Sequence, residues 1–166
     1  FLRTEFSSIT VYECPSSEKP TLDFQIAEQE SKSVSNIFFH KINQLKDIPF
    51  ISKGVIIDSI LGTGLNRKLD GLIEHIVECI NNLDLMVFSI DMPSGMPVNN
   101  IIEGHCIKSD IVFTVENKKE SFFFEENQAF LDRIIEVPIG LNEHTPSNVN
   151  KFYLDTNFIG PNLISK

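Results

Sequence analysis

Two stretches decide the fold: Gly54-Val-Ile-Ile-Asp58-Ser-Ile-Leu-Gly62-Thr-Gly64-Leu65 and Leu85-Met-Val-Phe-Ser-Ile-Asp91-Met-Pro93-Ser94-Gly95. Each is an apolar run of strand length that ends in an aspartate and continues into small, turn-forming residues. Between them Leu72, Ile73, Ile76, Val77 and Ile80 recur at helical spacing from Gly71, and Asn81-Asn82 closes the helix. Strand, helix, strand is the unit of a parallel sheet. In such sheets ligands bind at the carboxyl ends of the strands, which is where Asp58 and Asp91 stand.

Working outward, Ser8–Glu13 alternates and is β-branched, the pattern of a strand. Thr21–Ser35 is polar and compatible with a helix, with Leu22, Phe24, Ile26 and Ala27 as its apolar members. Asn36–His40 reads as a short strand, and Ile42–Ile48 as a short helix stopped by Pro49. Val55–Asp58 is a near-continuous apolar run, which predicts a strand buried on both faces. After Ile90 comes a long loop from Asp91 to Glu103, then strands over Asp110–Val115 and Arg133–Pro138. Phe152–Leu154 reads as the start of another strand. The fold class expected is α/β, with a mostly parallel sheet. Residues 141–150 are rich in turn formers and read as a linker.

A chain of 166 residues predicts one main domain with a substantial core. Its net charge of −9 disfavours non-specific attraction to a nucleic-acid backbone. The three cysteines, Cys14, Cys79 and Cys106, are odd in number and form no CxxC pair, so neither a disulfide framework nor a zinc site is expected. Free thiols suit a reducing, cytoplasmic compartment. No apolar run approaches the ~18 residues of a membrane span, and no leader peptide is legible. The first residue is Phe1 rather than Met, so a fragment of a longer protein is expected.

The loops carry the chemistry. Gly62-Thr-Gly64 follows a strand and precedes a helix, where glycines let the backbone approach a ligand and turn its amides inward. This suits a phosphate or pyrophosphate, and it equally suits a plain tight turn. Arg67 stands where a full GxGxxG would have its third glycine, and the Walker-type lysine loop is absent. Arg67 and Lys68 lie in the same loop and can pair with phosphates or remain solvated. Asp58 can cap the turn after its strand or offer hard oxygens to a cation. Pro93 and Gly95 make a rigid turn that presents Asp91 and Ser94 together. Asp91 can act as a general acid/base or hold a ligand hydroxyl, and Ser94 can supply an oxygen to a cation. No Gly-x-Ser-x-Gly elbow supports a serine hydrolase. His40, His75, His105 and His144 are scattered.

Taken together, these residues resemble the NAD(P)HX epimerase family, the YjeF N-terminal domain. The family's pattern runs strand, Asp-Ala-Leu-Phe-Gly-Thr-Gly-Leu, basic residue, Gly, helix, Asn, strand, Asp-Ile-Pro-Ser-Gly. This chain matches it with Asp58-Ser-Ile-Leu-Gly62-Thr-Gly64-Leu, Arg67, Gly71, Asn81 and Asp91-Met-Pro-Ser-Gly95. Asp110-Ile-Val-Phe-Thr-Val resembles the family's next strand, Lys119 falls on a position that is often lysine, and Ile134-Ile-Glu-Val-Pro-Ile-Gly140 resembles its closing strand. The likeness covers roughly residues 1–141.

The resemblance implies a Rossmann-like, three-layer αβα domain and interconversion of the R and S forms of hydrated NADH or NADPH. It implies a potassium ion, and a homodimer for the complete domain. It implies Asp58 and Ser94 as potassium ligands, and a dinucleotide cradle formed by Gly62, Thr63, Gly64, Leu65, Asn66, Arg67 and Lys68. Asp91 would contact the hydrated nicotinamide and act as the acid/base group, through loss and return of the C6 hydroxyl or through ring opening.

Two departures shape these expectations. The family's Asn-Asn-Gly-Gly-Asp-Gly loop is absent, and Phe1-Leu-Arg-Thr-Glu-Phe6 resembles the end of the helix that follows it. The chain is therefore expected to lack the N-terminal part of the domain, and efficient epimerase activity is not expected from this polypeptide alone. Glu116 and Lys118 stand where the family tends to have Gly and Pro. Residues 142–166 are expected to be a linker and the possible start of a C-terminal ADP- or ATP-dependent NAD(P)HX dehydratase, a lyase, as in bifunctional members. The competing readings are a non-catalytic module of the same fold that binds a nucleotide, protein or RNA, and an unrelated doubly wound domain whose aspartates cap turns.

Overall fold

The computed structural model describes residues 6–14, 20–62 and 68–140. In chain order the elements are β1 (Ile9–Glu13), α1 (Leu22–Lys32), β2 (Ile37–Lys41), β3 (Val55–Asp58), α2 (Gly71–Asn81), β4 (Met86–Ile90), β5 (Ser109–Val115) and β6 (Leu131–Val137). Short 3-10 turns lie at Leu45–Asp47, Glu120–Phe123 and Glu125–Phe130. Among the described residues every strand pair is parallel. β1 pairs with β2 from Ile9 opposite Ile37, and β3-β4-β5-β6 form a second sheet in sequence order. The parallel α/β class expected from the sequence is what the chain adopts. The expectations for a linker at 141–150 and a strand at Phe152–Leu154 lie outside the described residues.

The first βαβ unit follows from local signals. Thr21 caps α1, its Oγ1 accepting from the Phe24 amide at 3.2 Å. A Thr cap is worth about 1 kcal/mol over alanine. Residues 42–48 do not make the expected helix. The Asp47 carboxylate accepts from the Asn43 amide at 3.0 Å, and only a 3-10 turn forms at Leu45–Asp47. This is the usual competition between a short polar side chain and helical hydrogen bonds.

The four-stranded sheet packs one face. Ile56 and Val87 join Leu69, Ile73, Val77 and Ile80 of the α2 crossover, and Val77 is fully buried. A second cluster forms under β5 and β6 from Met92, Met96, Cys106, Val112 and Phe122. The long loop after β4 therefore belongs to the core: Met92 and Ile107 have no exposed surface. Asn81, at the end of α2, ties that loop down. Its Nδ2 donates to the Cys106 carbonyl at 2.8 Å, and its Oδ1 accepts from the Lys108 amide at 2.8 Å.

Among the described residues the other face is left largely uncovered at β3 and β4. Val55, Ile57, Met86 and Ile90 all remain more than two-fifths exposed. The apolar run of β3 predicts burial on both faces, but the strand buries only one. The reason is that α2 and the β4–β5 loop both cover the same side of the sheet.

Candidate functional site

Asp58 ends β3 directly opposite Ser89 of β4 and is 1% exposed. A carboxylate placed there needs donors. It finds four: the Ser89 hydroxyl at 2.9 Å and the Ser94 amide at 2.8 Å on Oδ2, with the Ser94 hydroxyl at 2.5 Å and the Ile60 amide at 3.3 Å on Oδ1. Ser94 Oγ in turn accepts from the Leu61 amide at 2.9 Å. Asp58 and Ser94 thus form a latch between the loop after β3 and the loop after β4. Burial pushes the Asp58 carboxyl above its ordinary range, and the donors from Ser94, Ser89 and Ile60 pull it part of the way back. Burial also raises the thiols of Cys14, pushed up to about 11, and Cys106, with the charge of Asp58 as the lesser cause in each.

The family resemblance implies a shared role for Asp58 and Ser94, and the structure places the two in direct hydrogen-bond contact. Their arrangement does not fit a cation as it stands. A carboxylate has roughly four lone-pair positions, and four donors already use them. Among the described residues no group of three or more His, Cys, Asp or Glu could hold a metal ion.

Asp91 is built differently. It has φ 68°, in the left-handed region that a non-glycine residue enters only under constraint. Asp tolerates that region better than most residues. Its amide donates to the Phe113 carbonyl at 2.8 Å, and the Met92 amide donates to the Ile90 carbonyl at 2.9 Å, which pins the bend at the strand end. Oδ1 accepts from Lys119 Nζ at 2.9 Å and from the Val115 amide at 3.3 Å. The other oxygen, Oδ2, is turned toward Gly62: a Cβ added to that glycine would lie 3.9 Å from it. Asp91 and Gly62 therefore face each other across the carboxyl ends of β3 and β4.

Gly95 makes the Asp91–Ser94 turn possible. It has φ 104°, and a Cβ there would stand 2.3 Å from the His105 carbonyl oxygen. Lys68 pairs with Glu103 at 3.3 Å, both side chains well exposed, so the pair contributes little to stability. Thr63, Gly64, Leu65, Asn66 and Arg67 lie outside the described residues. α2 begins at Gly71 and not directly after the Gly62-Thr-Gly64 segment.

Sequence reasoning missed two contributors. Lys119 was legible only as a lysine at a family position, and its partner Asp91 lies 2.9 Å away across the fold. Ser89 reads as one more strand residue, and only its register opposite Asp58 reveals that it donates to the buried carboxylate. The signal available for Ser89 is a hydroxyl within an otherwise apolar strand.

Known proteins bear on this arrangement. The chain is 28% identical to an NAD(P)H-hydrate epimerase of Oenococcus oeni over 132 residues, which are 75% of this chain and 63% of that protein. It is 29% identical over 97 residues to a bifunctional NAD(P)H-hydrate repair enzyme Nnr of Coxiella burnetii, covering 57% of this chain and 20% of the relative. A protein of the same name from Synechocystis is 34% identical over 96 residues, covering 18% of its length. The chain thus spans less than two thirds of each of these relatives. Among the described residues no helix is long and apolar enough to cross a membrane. A family profile described as YjeF-related protein N-terminus matches residues 3–121, which includes both aspartate-ended strands and both loops. The chain belongs to this YjeF-related N-terminal family.

Proposed function

We propose that this chain carries part of an NAD(P)HX epimerase site, in which Asp91 is the acid/base group. One observation carries the reading: Asp91 holds one oxygen against β5 and turns the other toward Gly62. A dinucleotide lying over the Gly62–Lys68 loop would bring its hydrated nicotinamide to Asp91 Oδ2. Relatives named NAD(P)H-hydrate epimerase support the choice of substrate.

Epimerisation at C6 requires the carbon to lose and regain its configuration. In the ring-opening route, the Asp91 carboxylate takes the proton of the C6 hydroxyl as the C6–N1 bond breaks, leaving an aldehyde at C6 and the electron pair on N1, where the conjugated carboxamide shares it. The aldehyde turns its other face, N1 adds back to C6, and Asp91 returns the proton to the oxygen. In the dehydration route, the C6 hydroxyl instead takes a proton from solvent and leaves as water, the ring nitrogen shares the positive charge, and water adds back from the other face with its proton released to solvent. Asp58 and Ser94 act as the latch that holds the two loops in register. Potassium ligation by this pair would require the Ser94 hydroxyl to turn away from the carboxylate, with more oxygens supplied from outside the described residues. The homodimer rests on the family resemblance alone and is checked by sedimentation equilibrium.

The test uses the full gene product that contains this chain. S-NADHX is added, and R-NADHX is followed by chromatography. Asp91→Ala is expected to slow equilibration by about 10²–10⁴-fold, the usual contribution of a positioned acid/base. An unchanged rate would remove Asp91 from this role, and an inactive wild type would remove the reading itself.

A further inference from the structure

We propose that Lys119 is a positioning residue that aims the Asp91 carboxylate, an inference that rests on the acid/base role given to Asp91 above. Lys119 lies in the turn after β5, and its side chain is only 14% exposed. An ammonium has three donors and no acceptor. Here Nζ finds three oxygens: the Val115 carbonyl at 2.9 Å, the Asn117 carbonyl at 3.0 Å and Asp91 Oδ1 at 2.9 Å. Two of these belong to its own turn and fix where the ammonium sits. The third is the carboxylate.

The turn is itself constrained. Glu116 has φ 57°, its amide donates to the Val137 carbonyl at 2.9 Å, and its carboxylate accepts from the Ile139 amide at 2.7 Å. β6 therefore braces the turn that carries Lys119. Lys119 and the Val115 amide then hold the same Asp91 oxygen from the β5 side. With Oδ1 held there, Oδ2 is directed at Gly62. An aspartate side chain has few bonds to fix, and a misplaced reacting atom is costly in rate: roughly a hundredfold for an error near 1 Å.

A lysine that merely caps β5 would matter for stability and leave the chemistry alone. Lys119→Met and Lys119→Ala in the full gene product separate the two cases. For Lys119→Met, kcat for NADHX epimerisation is expected to fall by about tenfold to a hundredfold while KM for the dinucleotide holds. Ethylammonium added to Lys119→Ala is expected to restore part of the lost kcat. A kcat close to wild type in Lys119→Met, or a loss confined to KM, would overturn the inference. If the wild type itself shows no epimerisation, the functional reading falls separately. A crystal structure of Lys119→Met then decides the positioning: release of Asp91 Oδ1 from the Val115 amide sustains it, and retention of that contact overturns it.

Discussion

At the residue scale the two strand-end aspartates divide the work by environment. Asp58 is buried and accepts four hydrogen bonds, which makes it a structural anchor. Asp91 turns one oxygen toward Gly62 and gives the other to Lys119 and Val115. The two runs look alike apart from Ser89, each an aspartate after a mostly apolar strand. The difference comes from Ser89 and Ser94, which reach Asp58, and from Lys119, which reaches Asp91. Replacing Asp58 by alanine strands several buried donors, each costing about 1–3 kcal/mol. Asp58→Ala is therefore expected to destabilise the domain by about 2–4 kcal/mol in urea titration. A loss under about 1 kcal/mol would show that the latch contributes little.

At the element scale the turn after β4 carries Asp91 and Ser94, and Gly95 within it is tightly constrained. Gly95→Ala meets both a positive φ and a Cβ clash with the backbone of residues 105 and 106. Gly54 also has a positive φ, at 112°, but a Cβ there meets nothing within 4 Å. The two substitutions therefore separate backbone strain from crowding. Gly54→Ala is expected to cost about 1–2 kcal/mol, and Gly95→Ala about 3–5 kcal/mol, read as the difference in urea midpoints. Equal costs would mean that the His105 backbone gives way. The motif Asp-x-Pro-Ser-Gly shows in sequence that a tight turn is present. That the turn packs against residues 105–107, so that the loop from Met92 to Ile107 enters the core, is not legible there. Long polar-punctuated loops ordinarily run over the surface.

At the scale of the whole molecule, among the described residues, the four-stranded sheet packs one face and leaves Val55, Ile57, Met86 and Ile90 exposed on the other. Val55 and Met86 are neighbours across β3 and β4 on the open side. Contiguous exposed apolar surface of this kind promotes association. Val55→Thr combined with Met86→Lys is expected to leave stability within about 1 kcal/mol, since neither side chain is buried, and to lower self-association in sedimentation velocity. Unfolding of the double variant would show that this face is packed in solution.

Although the helix expected over Ile42–Ile48 is only a 3-10 turn, the sequence by itself determined the parallel α/β class, the strands and the crossover helix around the two aspartates, and the two aspartate-ended turns. These follow from periodicity and turn chemistry, which act between residues close in the chain. It also placed Asp58, Asp91 and Ser94 at one end of the sheet, because parallel strands share their direction. The tertiary structure alone decided that Ser94 closes on Asp58, that Lys119 holds Asp91 and that β3 is covered on one side only. Those contacts join residues far apart in the chain. A pattern of apolar residues records how much burial a segment can use, and the packing of the other elements decides which face receives it.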